Sequence, residues 1–374
     1  MVIRYLPFGG GARYLSVLVG PLCVMLLLMR PREKWMEDLR AAGCSVLPFV
    51  PMAIGWCVAQ VFHGYDPLDL SPLSRVLLAA LLFVGARIVG VKYWHLTCAA
   101  AVGAFAYGLV ACVEVFILER DRAWGGVYEN RFGQFAVWVG VLCVLHCQPL
   151  TTERGATKRI LPLCTAFLVA LIAIVLSGSR GALLALPLAI AFSLARNLSL
   201  RQVFYLSLVV VVACAGVFIA SDSIRIRSVL GYREFTQYFS EETFQGTSVG
   251  IRLELTRVAV QTLSLKPWLG VGYSTLASLY ADYGHLLGEM PPSIAGITTF
   301  HSDWSQAIGI GGNVLLASLI VTVLWLFYAA RNDVYRTSFV ACALVFSISE
   351  LFFLHKLGFS LLVATWALYS AATD

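Results

Sequence analysis

Apolar runs long enough to cross a lipid bilayer recur from one end of this chain to the other. Nothing else in the sequence restricts the fold as tightly. A spanning helix needs about 20 mostly apolar residues, because the hydrocarbon core is about 30 Å thick and a helix rises about 1.5 Å per residue. Such runs fall at 14–29, 43–62, 73–90, 94–118, 132–147, 160–177, 181–195, 203–220, 304–330, 337–354 and 357–370. The composition agrees: 59% of the 374 residues are hydrophobic and 13% are charged, with a mean hydropathy of +0.80. A soluble domain is nearer half apolar and a quarter charged. Those values exclude an ordinary cytosolic enzyme, a disordered chain and a nucleic-acid binder. The expected fold is an all-α polytopic membrane bundle of about 11–12 transmembrane helices.

The net charge of +6 needs no acidic partner, since Lys and Arg gather on the cytoplasmic loops of multispan proteins. Arg30, Arg32, Lys34 and Arg40 share one loop, and Arg87 and Lys92 lie in the next loop but one. Arg154, Lys158 and Arg159, then Arg196 and Arg201, then Arg331 and Arg336, continue the alternation. These loops are placed in the cytoplasm, with the N-terminus outside and the C-terminus inside across eleven spans. Arg120, Arg122 and Arg131 fall on the other side and weaken the bias. The first residues, up to Arg13, are too Gly-rich and charged for a cleaved signal peptide. The ten cysteines lie almost entirely inside apolar runs and form no CxxC, as small apolar side chains of membrane helices do.

One segment is different. From Ser221 to about His301 the chain is hydrophilic, and it falls on the outer side. This suggests an N-terminal membrane part over 1–220, a long periplasmic loop over 221–303 and C-terminal spans over 304–374, all one integrated membrane domain. Within the loop, Gly250–Leu265 places Ile251, Leu255, Val258, Ala259 and Thr262 on one helical face. That pattern suits a helix lying at the interface or packed on the bundle. Lys266-Pro267 ends it, and Gly270-Val271-Gly272 makes a turn. An ordered long loop is more often functional than a linker.

Three constellations carry possible chemistry. In Ser177-Gly178-Ser179-Arg180-Gly181-Ala182 an arginine is wedged between two apolar runs. It must either snorkel or meet an anion. Its planar fork grips phosphate oxygens, and Gly181-Ala182 opens a helix whose first amides also favour anions. The second is Arg252 with Glu254 and Arg257, which alone reads equally as a solvated charged face. The third is His301-Ser302-Asp303, where a histidine precedes the last long apolar block and can act as a general base, although a lone loop histidine is more often structural. Glu114 and Glu350 lie near the ends of apolar runs, where carboxylates are commonly interfacial or hydrogen-bonded. Glu119-Arg120-Asp121 lacks the supporting ligands of a metal site. There is no Walker loop, no GxGxxG in a strand–helix setting and no HExxH.

Taken together these pieces resemble the O-antigen ligase and polymerase family of bacterial inner-membrane glycosyltransferases. A helix ends in SGSRGA; a long outer loop follows, then an Arg-bearing helix, KPWLGVGYSTL, and a histidine before the next span. The motifs cover about 120–330, and the hydropathy covers the whole chain. The resemblance implies a helical membrane bundle of the C-type glycosyltransferase kind in the bacterial inner membrane, with a periplasm-facing site. It implies transfer of a glycan from undecaprenyl diphosphate to a sugar hydroxyl, on lipid A-core for a ligase or on another lipid-linked repeat unit for a polymerase. No nucleotide sugar, cofactor or metal is implied.

Carried over by motif, Arg180 and Arg252 hold the donor diphosphate, with Ser179 and Gly181 beside Arg180, and His301 completes the site near the acceptor. Arg131, in Glu129-Asn130-Arg131-Phe132-Gly133, matches a further outer-loop segment, and Asp303 and Glu254 are accessory candidates. The chain departs from the family in three places. Gly309-Ile310-Gly311-Gly312 arrives about three residues early after the histidine. Ser302 stands where asparagine commonly follows it. Eleven spans are read here where the family usually has twelve.

The chemistry of the residues agrees with this. As the sugar C1–O bond breaks, negative charge gathers on the diphosphate, and guanidinium groups shielded from water stabilise it. His301 either takes the hydroxyl proton or orients the hydroxyl. One displacement at C1 inverts the anomeric centre, and no confident carboxylate nucleophile for a retaining route is visible. Ligation is favoured slightly over polymerisation. A transporter or flippase is the alternative of another class, and it predicts inverted repeats that the sequence does not show. A structural scaffold leaves SGSRGA unexplained.

Overall fold

The computed structural model describes residues 21–64, 71–147, 157–195, 222–240, 246–272, 276–288, 290–294, 297 and 299–373. The chain there is α-helical and has no strand, with one isolated bridge between Lys92 and Thr373. The helices are α1 (Arg32–Val46), α2 (Val50–Phe62), α3 (Ser71–Val89), α4 (Tyr93–Cys112), α5 (Glu129–Cys147), α6 (Thr157–Ser177), α7 (Arg180–Ala195), α8 (Asp222–Ser240), α9 (Ser248–Leu265), α10 (Leu276–Leu287), α11 (Asp303–Ala330), α12 (Val334–Ser349) and α13 (Lys356–Ala371). Among the described residues five stretches are long and apolar enough to cross a membrane: Arg32–Phe62, Pro72–Val89, Tyr93–Ile117, Ile160–Ser177 and Asp303–Ala330. Two shorter apolar helices, Gly181–Ile190 and Val334–Ile348, join them. The chain is a polytopic all-α membrane protein. The expected span at 203–220 lies outside the described residues.

Protein rather than lipid surrounds much of α5 and α13, and many of their residues are buried. α5 buries Gln134 and His146, and the His146 ring shares a 2.8 Å hydrogen bond with the Tyr369 hydroxyl of α13. Trp138 of α5 stacks on Phe339 and Phe352, with ring centroids 5.1 and 5.6 Å apart. The run read at 43–62 extends back to Arg32 as a helix. Asp38 explains why: it is buried between Arg30, which donates to it, and Arg87 at 3.6 Å, so a charged turn becomes part of the packed bundle.

A second, smaller core lies within residues 255–300. Leu255, Val258 and Ala259 of α9 meet Leu279, Tyr280 and Leu287 of α10, with Ile294 and Phe300. The amphipathic face read at Gly250–Leu265 therefore packs on protein, and α9 also lies against α11. Thr247 caps α9 by accepting from the Gly250 N–H at 3.1 Å.

α11 is broken. Gly312 has φ 57° and ψ −150°, outside any helical region. In a membrane, freed backbone groups must find protein partners, and here the segment after α9 supplies them. The Val271 and Gly272 N–H groups donate to the Gly309 and Ile310 carbonyls at 2.9 and 3.1 Å. The Asn313 and Val314 N–H groups donate to the Pro267 and Trp268 carbonyls at 2.9 and 3.1 Å. His63, just beyond α2, donates from Nε2 to the Leu269 carbonyl at 2.7 Å. The early glycines thus open a slot in α11, and the KPWLGVG segment fills it.

The fit leaves no room for side chains. A Cβ on Gly270 meets the Gly309 carbonyl oxygen at 2.6 Å, and one on Gly312 meets the Gly270 nitrogen at 2.6 Å. Gly312→Ala is expected to cost at least about 1–3 kcal/mol from the strained φ/ψ alone, seen as a clear fall in thermal midpoint in detergent. Gly284→Ala, in α10 with nothing within 4 Å, is expected to leave the midpoint level or raise it slightly. Equal effects of the two would disprove the slot.

Candidate functional site

The site forms where α5, α9, α11 and α12 meet at one end of the bundle. Arg252, near the start of α9, donates from Nη2 to Glu350 Oε1 at 3.0 Å. Asn130, at the start of α5, donates from Nδ2 to the same oxygen at 2.6 Å. The charges of Glu350, Arg252 and Arg131 all act on His301. Four elements distant in sequence thus place Arg252, His301, Arg131 and Glu350 together. The Arg131 guanidinium also lies 5.6 Å from the centre of the Tyr128 ring.

Glu350 owes its place to Asp303. α12 ends at Ser349 rather than continuing to 354, and Glu350 is extended at φ −152°, ψ 169°. The following turn is held by the fully buried Asp303 carboxylate. Oδ2 accepts from the Phe352 and Phe353 N–H groups and Oδ1 from Leu354, each at 2.8 Å. Asp303 thus braces the turn beside the site. Removing the carboxylate strands three buried amides at about 1–3 kcal/mol each. Asp303→Ala is expected to unfold the chain or lower its thermal midpoint sharply; Asp303→Asn, which keeps one acceptor oxygen, is expected to lose less.

His301 has φ 56°, an uncommon conformation for a non-glycine residue. Ser302 next to it caps α11 by accepting from the Ser305 N–H at 3.1 Å. Burial chiefly, then the Arg252 and Arg131 charges, holds His301 below the ordinary histidine value of 6.5, while Glu350 pulls the other way. This favours the neutral ring, the form that accepts a proton.

The SGSRGA turn adjoins this cluster. Gly178 takes φ 60°, and α7 starts at Arg180. Ser179 is buried, and its Oγ accepts from the Ala182 N–H at 3.3 Å. Arg122 donates to the Ser177 carbonyl at 2.8 Å and reaches Asn130 Oδ1 at 3.5 Å. Asn130 therefore links the turn, through Arg122, to Glu350 and Arg252. Gly133 packs so closely that a Cβ there meets Ser177 Oγ at 2.6 Å and the Ser179 Cβ at 2.9 Å. Gly181 opens the α7 helix; the Arg180 side chain lies outside the described residues.

Glu254 goes elsewhere. It pairs with Arg257 and accepts from Tyr238 at 3.0 Å and Tyr280 at 3.4 Å. Burial pushes that carboxyl up, and these donors outweigh it and bring it below its ordinary value. Both phenols rise to about 12 through burial and the Glu254 charge. Glu254 and Arg257 therefore brace α8, α9 and α10 against one another, on a face of α9 separate from the one Arg252 uses.

Sequence reasoning missed the parts played by Glu350 and Asn130. A glutamate closing an apolar run was the only signal for the first. Glu114 is a brace instead: it pairs with Arg120 at 2.7 Å and accepts from the Trp124 and Gly125 N–H groups. Among the described residues no group of three or more His, Cys, Asp or Glu could hold a metal ion.

The fold and site define the class: a polytopic membrane protein with an arginine- and histidine-lined site at one end of its bundle. Residues 165–320 match the family model described as O-antigen ligase. The match spans SGSRGA, Arg252, the slot and His301, so this part of the chain is similar to the O-antigen ligase family. No curated protein matches the chain.

Glu350→Gln removes the one influence that raises His301. If His301 accepts a proton in the reaction, the acid limb of the activity–pH profile lies below pH 6.5 and moves further to the acid side in Glu350→Gln. An acid limb that stays in place would remove His301 from that role.

Proposed function

We propose that this protein transfers a glycan from undecaprenyl diphosphate to a sugar hydroxyl at the periplasmic face of the bacterial inner membrane. Ligation of O-antigen to lipid A-core is the preferred reaction. The observation that carries the reading is the convergence of Arg252, Arg131 and His301 beside the SGSRGA turn, with Arg252, His301 and that turn inside the segment that matches the O-antigen ligase family.

In this reading Arg180 and Arg252 grip the diphosphate, aided by Ser179, Gly181 and the first amides of α7. The bond from sugar C1 to the phosphate oxygen breaks as the acceptor oxygen bonds to C1. The electron pair goes to the diphosphate, and the acceptor proton goes to His301, or to the departing diphosphate while His301 orients the hydroxyl. A single displacement inverts the anomeric centre, and the residues supply this chemistry without a metal. Arg131 adds positive charge near the leaving group. Asp303 and Glu254 are positioning residues, the first for the Glu350 turn and the second for α9. Glu350 neutralises Arg252 until a donor arrives.

The test is glycan transfer in membranes. Arg180→Lys, Arg252→Lys and the alanine variants are expected to lose about 10²-fold or more activity while the protein stays in the membrane. Full activity in both lysine variants would sink the clamp. Deletion separates the two reactions within the class. Polymer accumulating on undecaprenyl diphosphate, with none on lipid A-core, marks a ligase, whereas a core carrying one repeat unit marks a polymerase. Transfer to a sugar acceptor without any ion gradient would exclude a transporter or flippase.

A further inference from the structure

We infer that α8 is a membrane-seated helix whose exposed face rests in the anionic lipid surface at the site end of the bundle. Ile226, Val229, Leu230, Tyr232, Phe235 and Phe239 are 41–70% exposed. At about 100° per residue they spread over more than half the helix circumference. The opposite side is spoken for: Glu234 is buried and accepts from the Val249 N–H at 3.1 Å, and the Tyr238 hydroxyl donates to Glu254. α8 is thus fastened to α9 by one face and leaves its aromatic face open.

Two observations identify lipid as the occupant. Exposed Arg225 and Arg233 interrupt the apolar arc, as cations do on helices that lie among lipid phosphates. The arc is also too wide for one helical partner. A helix of this kind sinks its apolar face about 5–10 Å into the headgroup boundary. Because α9 carries Arg252, the seat of α8 fixes the height of that guanidinium relative to the lipid phosphates.

The test places p-benzoylphenylalanine singly at Phe235 or Phe239 in the full chain, in phosphatidylglycerol nanodiscs, and reads photo-adducts by intact mass. Leu324, 64% exposed on α11, is the lipid-facing control, and Asp282 on α10 is the water-facing one. Lipid adducts at 235 and 239 matching those at 324, and absent at 282, support the seat. Arg233→Glu is then expected to lower the yield at 239 about fivefold in phosphatidylglycerol and to leave it unchanged in phosphatidylcholine. A covalent dimer of the chain at 235 and 239, or no lipid adduct there while 324 reacts, overturns the proposal. Equal yields with and without Arg233→Glu in phosphatidylglycerol overturn its anionic component.

Discussion

Backbone groups in hydrocarbon have no water to turn to, and α11 meets that constraint by borrowing partners from the segment after α9. Four hydrogen bonds join Pro267, Trp268, Val271 and Gly272 to residues 309–314. The consequences reach both ways along the chain. The half of α11 before the break begins at Asp303, next to His301. The segment that fills the break is continuous with α9, which carries Arg252. One backbone exchange therefore fixes the relative height of two elements from which the site is built. The glycines are its geometric condition, since a Cβ at 270 or 312 would fall about 2.6 Å from backbone atoms of the other segment.

Charge is placed with the same economy. Few charged side chains occur, and nearly every one near the site has a partner with a separate task. Glu114 gathers Arg120 and two loop amides, Glu254 gathers Arg257 and two tyrosines, and Asp303 gathers three amides. Each of these carboxylates satisfies donors that would otherwise be buried unpaired, at about 1–3 kcal/mol per group. Glu350 differs, because its partners Arg252 and Asn130 stand at the meeting of four elements. Arg252 keeps 40% of its side chain exposed, so its ion pair is worth little to stability. A partner held that weakly can be exchanged.

The helices were readable because lipid imposes a length and a polarity on every span. The runs at 160–177 and 304–330 match α6 and α11 within a few residues. The face of α9 was readable from Leu255, Val258, Ala259 and Thr262, all of them buried. The meeting of Arg252 with His301 followed from family resemblance alone, since nothing local joins them. Glu350 was out of reach: its partners Asn130 and Arg252 are 220 and 98 residues away. The end of α12 was hidden for the same reason, because Leu351–Leu354 is apolar enough to continue a helix and a carboxylate from α11 claims its amides. The early glycines stood out only as a departure in spacing, and their purpose became visible only with the segment lodged against them.

On the proposed reading, these facts set the order of events in the site. A diphosphate has more charge and more oxygens than one carboxylate, so it can take Arg252 from Glu350 without leaving the guanidinium unpaired at any stage. Once released, Glu350 still has Asn130 and stays close to His301. Its negative charge then opposes protonated Arg252 and Arg131 less directly at the phosphate and acts more fully on the imidazole. Donor binding would thereby raise the proton affinity of His301 at the moment an acceptor hydroxyl needs a base. The same carboxylate that quiets the arginines in the empty site would tune the histidine in the occupied one, which gives a structural reason for a glutamate at the centre of a basic cluster.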